Sequence, residues 1–266
     1  MRKLLVLLVA CAALVGCGPI APIPTNSATP VLSPARMFWV ADTGTSLRLF
    51  AEDVSLPKTG ERGLTALRYL VAHKPVDPDY STLWPAQTIV KQVAIVGDSA
   101  TVDLSSVHLN VGSEAESIAV QQLLWTLFAA EPELTSMRIT VDGRAVETLA
   151  GHLDATGPFT RPPAYEVVSP VWLLEPTEGA RLSGGTVTLS GMACTFEANV
   201  AWSIKQDAKV VRSGSTTAAA ACPDWSPWSV KIQGLAPGAY TAEAAHYSPK
   251  DGGLVAHDTK QFTLLG

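Results

Sequence analysis

Charge is scarce in this sequence. Asp, Glu, Lys and Arg make up 16% of the 266 residues, and Lys and Arg nowhere gather into a run or stripe. Proteins that hold nucleic acid do so largely by neutralising phosphates with such a stripe, so that class of partner is excluded. Catalytic signatures are missing as well. There is no G-x-S-x-G nucleophile elbow, no phosphate-cradling P-loop and no G-x-G-x-x-G turn. His73, His108, His152, His246 and His257 form no H-x-x-x-H or H-E-x-x-H pair. No C-x-x-C or Cys/His cluster offers a zinc site. Asp77 and Asp79 flank Pro78, but two carboxylates are too few for calcium, and they read as a solvated loop. No metal and no cofactor is expected, and the chain reads as non-enzymatic. A hydrolase would need distant Ser, His and Asp residues to converge in a cleft, which ranks third among the readings.

Long apolar runs are equally scarce. The one that exists lies at the extreme N-terminus, where Arg2 and Lys3 precede an uncharged stretch from Leu4 to Leu14. That is signal-peptide length, well short of the roughly 20 residues a spanning helix needs. Leu14-Val15-Gly16-Cys17 follows and resembles a bacterial lipobox, in which the cysteine receives lipid and becomes the new N-terminus. The alternative is a simple signal peptide with a chance cysteine. The expected signal peptide is therefore 1–16, with Cys17 as the lipidation site and the outer face of the bacterial cell membrane as the address. Loss of Arg2 and Lys3 moves the formal net charge from −5 to −7. Burial of acyl methylenes, about 0.8 kcal/mol each, drives the anchoring.

Cysteine is sparse too, with four in all. Cys11 leaves with the signal peptide and Cys17 carries lipid, so Cys194 and Cys222 remain. In an oxidising compartment these two can pair in only one way, and such a bridge is worth about 3.5 kcal/mol on the chain-entropy estimate. The alternative is two buried thiols.

What is present divides the mature chain into four parts. Residues 17–36 hold Pro19, Pro22, Pro24, Pro30 and Pro34 among small polar residues and read as an extended tether, about 60 Å long at full reach. Residues 37–161 mix periods. Met37–Val40, Leu47–Phe50, Thr88–Val96, Ala100–Leu104, Met137–Val141 and Arg144–Leu149 read as strands. Leu64, Leu67, Leu70 and Val71 recur at helical spacing within 61–73. Ser113 and Glu116 form an S-x-x-E capping box ahead of Val120, Leu123, Leu124, Leu127 and Phe128, one apolar face of a second helix. This part is α+β, with two helices available to cover one sheet. A Pro- and Gly-rich passage from Asp154 to Pro170 closes it, with the linker proper at 162–170. Residues 171–266 alternate apolar and polar in short runs between turns, without helical periodicity, as an all-β sandwich does.

Residues 37–161 resemble the GerMN domain of spore germination and sporulation lipoproteins. The likeness is carried by Ala100-Thr101-Val102-Asp103-Leu104-Ser105, the helix from Ser113, Arg138-Ile139-Thr140-Val141-Asp142-Gly143-Arg144, and Gly151-His152-Leu153-Asp154 with Gly157-Pro158. Residues 171–266 resemble the bacterial spore germination immunoglobulin-like domain, through Ser169-Pro170, Glu175-Pro176, Thr188-Leu189-Ser190-Gly191, Trp228 and the corner Leu235 to Tyr240. In immunoglobulin-like corners a tyrosine hydroxyl returns to the backbone and locks the turn. The resemblance implies a non-catalytic envelope lipoprotein whose two domains act as protein-interaction modules, in sporulation, germination or signalling.

The competing reading is a lipoprotein that binds carbohydrate or a peptidoglycan fragment. Its candidates are Trp225 and Trp228 in Trp225-Ser226-Pro227-Trp228, and Trp84 beside Pro85. By strand parity Trp228 shares a face with Val230 and Ile232, which favours the core for that residue. The expected partners are thus the membrane through Cys17, envelope proteins, and on the competing reading cell-wall glycan. Substituting Cys17→Ser is expected to move the protein from the membrane fraction to the soluble one. Detergent phase partitioning of cell lysates reads this directly.

Overall fold

The computed structural model describes residues 31–266. The expected signal peptide 1–16, Cys17 and the expected tether as far as residue 30 lie outside the described residues.

Strands β1 (Leu32–Asp42) and β2 (Leu47–Pro57) form an antiparallel hairpin, Leu32 facing Pro57 and Asp42 facing Leu47. Residues 32–36, expected in the tether, are therefore paired backbone. Two features account for the difference. The Arg36 guanidinium donates to both oxygens of Asp53 across the ladder, at 2.8 and 2.9 Å. Pro34 is tolerated because β1 has a neighbour on one side only.

Helix α1 (Arg62–Ala72) follows, then β3 (Ile89–Val96), β4 (Ser99–Ser105), α2 (Ser113–Ala130), β5 (Ser136–Val141) and the two-residue β6 (Arg144–Ala145). The sheet order is β3-β4-β5-β6, antiparallel except where α2 carries the chain from β4 to the parallel β5. The apolar positions that define both helices in the sequence are all buried. The single expected sheet is in fact two, because the β1–β2 hairpin makes no ladder with the other four strands. Helix α2 is buried nearly all round and takes the hairpin on one side, where the Phe38 amide donates to Thr126 Oγ1 at 3.1 Å.

The capping box is absent. Gly112 is the N-cap, and no side chain caps the helix. The Glu116 carboxylate is fully buried and turns instead to the segment after β6. Its Oε1 accepts the amides of Leu149 and Ala150, and Oε2 those of His152 and Leu153, at 2.7–3.1 Å. This explains why the expected strand Arg144–Leu149 stops at Ala145: the backbone beyond bends around a carboxylate rather than along a ladder. Burial alone would raise the Glu116 pKa. The amides of Ala150, His152 and Leu149 and the Thr148 hydroxyl outweigh it and hold the group below the usual carboxylate range.

A short helix α3 (Ala164–Val167) lies within the expected linker. Val167 and Val168 are buried, and the Ser169 amide donates to the Leu49 carbonyl at 2.8 Å, so the linker is packed onto β2. The second domain contains β7 (Val171–Glu175), β8 (Ala180–Ser183), β9 (Thr186–Ala193), β10 (Asn199–Gln206), β11 (Lys209–Thr217), β12 (Ser226–Gln233), β13 (Gly238–Tyr247) and β14 (Leu254–Leu265). They form two sheets, β11-β10-β13-β14-β8 and β12-β9-β7. Val187, Leu189, Val200, Ile204, Trp228 and Phe262 fill the space between them. The Tyr240 hydroxyl donates to the Ala236 carbonyl at 2.8 Å, the corner lock expected from the sequence. Cys194 and Cys222 form a disulfide.

Glu116→Gln is expected to cost about 1.5–3 kcal/mol at neutral pH, the usual loss for hydrogen bonds to a charged group. The folded-state pKa lies below the unfolded value, so this stabilisation is complete above about pH 4.5 and fades as pH falls through the lowered folded-state pKa. Urea titrations of the two proteins should therefore converge in acid.

Candidate functional site

Strand β14 carries the feature that joins the domains. Its inward positions run Ala256, Asp258, Lys260, Phe262, Leu264, so two charges occupy core positions of a sandwich strand. Asp258 and Lys260 are 3% and 4% exposed. Charges so placed are costly unless paired.

Most of their partners come from the first domain, from the loop between α1 and β3. Asp77 is fully buried and forms an ion pair with the Lys260 ammonium. Tyr80 donates its hydroxyl to Asp258 Oδ1 at 2.7 Å, and Lys260 Nζ donates to the Tyr80 oxygen at 3.0 Å. Thr259 Oγ1 donates to Asp79 Oδ2 at 2.6 Å. The Leu173 amide of β7 donates to Asp258 Oδ2, also at 2.6 Å. The loop is pre-shaped from below: Glu52 on β2 accepts the amides of Val76 and Asp77, both at 3.1 Å, and the Trp39 indole at 2.9 Å. The reading of Asp77 and Asp79 as a solvated loop is therefore corrected for Asp77, which is buried, while Asp79 stays exposed. Both contact the second domain, and the Asp79 amide donates to Asp77 Oδ1 at 2.8 Å.

The electrostatics follow from one cation among several acids. Burial pushes Asp258 up to about 6, against Lys260 and the Leu173 amide, which favour its charged form. Burial, together with Asp258, carries Tyr80 well above its ordinary value, so it remains a phenol and a donor. An apolar seam runs alongside. Trp172 and Trp225 lie with ring centroids 6.2 Å apart, and with Val167 and Val168 they belong to the core of the first domain.

The candidate tryptophans for sugar binding, Trp225, Trp228 and Trp84, are not gathered in one place. Trp84 is in the first core, 2% exposed, with its indole donating to the Ala119 carbonyl at 2.9 Å. Trp228 is also 2% exposed and lies against Gly191, where a Cβ would stand 2.9 Å from its indole nitrogen and collide with the Trp172 carbonyl. Trp225 is half-buried beside Trp172 in the seam. Trp84 and Trp228 therefore present no open ring face of the kind a sugar stacks on, whereas Trp225 stays partly exposed. The period-2 pattern of 254–265 held the signal that sequence reasoning missed, since Asp258 and Lys260 stand in phase with Phe262 and Leu264.

Ser203, Glu243 and His257 meet on the outer face of the five-stranded sheet. Ser203 Oγ donates to Glu243 Oε2 at 2.8 Å, and His257 Nδ1 lies 3.2 Å from Glu243 Oε1. The hydroxyl faces the carboxylate instead of the imidazole. The His257 hydrogen bond, helped by Lys205 and Ser203, outweighs burial and holds Glu243 at about 2, too weak a base to activate a serine at neutral pH. Among the described residues no group of three His, Cys, Asp or Glu could hold a metal ion.

Lys260→Met is expected to cost about 3–5 kcal/mol, the range for removing one partner of a buried pair. Asp77→Asn should cost less, and the double variant less than the sum of the two, because each single change leaves an uncompensated group. Calorimetry should also show one unfolding transition for the parent and two for Lys260→Met.

Two family models match the chain. Residues 36–147 match the family described as sporulation and spore germination. Residues 170–253 match the immunoglobulin-like domain of bacterial spore germination. A comparison with curated proteins gave no match. Among solved structures, the first GerMN domain of the sporulation protein GerM from Bacillus subtilis is 23% identical, with a TM-score of 0.40, over 48% of this chain and 98% of that one. The tandem GerMN domains of the same protein are 18% identical, with a TM-score of 0.42, over 76% of this chain and 62% of that one. A proposed lipoprotein from Clostridium perfringens is 17% identical, with a TM-score of 0.36, over 50% of this chain and 92% of that one. The order of the two matched families is the order of the two folded domains, and the chain is a GerMN-type protein with a C-terminal immunoglobulin-like domain of the bacterial spore germination family.

Proposed function

We propose that the protein is a non-catalytic, lipid-anchored interaction module that works outside the cytoplasm, in an envelope assembly concerned with sporulation or germination. The observation that carries this reading is the buried junction. Asp77, Asp79 and Tyr80 of one domain close onto Asp258, Thr259 and Lys260 of the other, so the two domains present one composite surface. A hinged pair would present two independent ones. Anchoring through Cys17 confines that surface near the membrane and raises its effective concentration for neighbouring envelope proteins. Among the described residues no helix is long and apolar enough to cross a membrane.

In-cell cross-linking of the intact protein in its own organism, followed by mass spectrometry, tests the proposal. The expected result is one envelope protein captured repeatedly by the parent and lost with Cys17→Ser. Capture of cell-wall fragments with no protein partner would overturn it.

A further inference from the structure

A small cleft lies on the second domain, at the end of the outer face of the five-stranded sheet, and nothing in the junction uses it. Its volume is about 230 Å³. Phe196 and Tyr247 line it, 60% and 48% exposed. Ala201 of β10 and Ala245 of β13, facing outward on paired positions, give it a floor of methyl groups. Glu197, Asn199 and His246 add polar edges.

The backbone holds Phe196 there against its own preferences. Glu197 and Ala198 both take left-handed conformations, with φ of 55° and 57°, which non-glycine residues seldom adopt. The segment is pinned on every side. The Cys194–Cys222 disulfide precedes it, the Cys222 amide donates to the Thr195 carbonyl at 3.2 Å, and the Ala218 amide donates to the Ala198 carbonyl at 2.8 Å. Opposite, the β13–β14 ladder shifts register between His246 and Tyr247, a bulge of the kind that re-aims a side chain. Two exposed aromatic rings thus stand on over-determined backbone, and strain that persists in this way clusters at ligand sites.

We propose that this cleft binds a neutral saccharide. Aromatic rings stack on the apolar face of a pyranose, while a carboxylate, an amide and an imidazole serve its hydroxyl groups. The charge pattern selects against anionic sugars. Of the residues lining the cleft, Glu197 is the charged one and none is Lys or Arg. Burial lowers the His246 pKa, so its ring is uncharged at neutral pH. Lys205, the cation farther along β10, is engaged by Glu243 at 2.9 Å. This inference is independent of the assembly reading, because the cleft lies apart from the junction and takes a different class of ligand.

The test is isothermal titration of the full chain in detergent with three tetrasaccharides: chitotetraose, cellotetraose and tetragalacturonate. Binding of a neutral tetrasaccharide is expected, with the chitotetraose and cellotetraose arms separating an N-acetylated ligand from a plain glucan. Phe196→Ala and Tyr247→Ala should each weaken it at least tenfold and leave the melting temperature unchanged, since both rings are exposed. Tetragalacturonate should bind at least tenfold more weakly than the better neutral sugar. No heat from either neutral sugar at millimolar concentration, equal binding by the two alanine variants, or preference for tetragalacturonate would each overturn the proposal. So would a photo-cross-linker at position 196 that captures a polypeptide while neutral sugars fail to bind.

Discussion

A buried lysine organises this molecule. Lys260 stands on the inner face of a sandwich strand, where its ammonium is buried and its nearest carboxylate within its own domain, that of Asp258, lies 3.9 Å away. The cost of that placement is met by Asp77, which belongs to the other domain. A buried ion pair is weak evidence for net stability, since an apolar pair of similar volume often does as well. What it supplies is a demand for one arrangement. An apolar seam alone would let the domains slide, whereas a carboxylate, a phenol and an ammonium satisfy one another in a single register.

The rest of the junction follows from that demand. Glu52 gathers the amides of Val76 and Asp77 so that the loop meets Lys260 already shaped. Leu173 lends its amide to Asp258, which ties β7 to β14 at the same place. Trp172 and Trp225 add an aromatic contact packed against the core of the first domain. The first domain repeats the device on a smaller scale. Glu116 is likewise a charge placed in a core, and it orders a loop that lacks a ladder by collecting four of its amides. In both places a single buried charge replaces regular secondary structure as the organiser of irregular backbone.

This arrangement bears on function because the two halves differ in chemistry. The charged centre of the junction, Asp77, Asp258 and Lys260, is buried, while Phe196 and Tyr247 of the cleft on the second domain are open to solvent. A body with one fixed interdomain geometry and a free aromatic cleft can engage an assembly and a small ligand with different surfaces.

The sequence by itself determined the parts. Helical periodicity placed α1 and α2, alternation placed β9, β10, β12 and β14 of the sandwich, parity put Trp228 inside, and the Pro-Gly corner with Tyr240 gave a lock that closes on Ala236. Each of these rests on neighbours within a few residues or on one face of one element. The tertiary structure alone decided the fate of the polar and aromatic residues. Glu116 reads as a cap because its nearest sequence partner is Ser113, yet its true partners lie 33–37 residues on. Asp77 reads as a loop residue because its counter-charge is 183 residues away. Trp84 reads as a surface candidate because nothing near it reveals the helix that buries it. Burial and pairing are decided by whatever the fold brings alongside, and a local pattern carries no record of that.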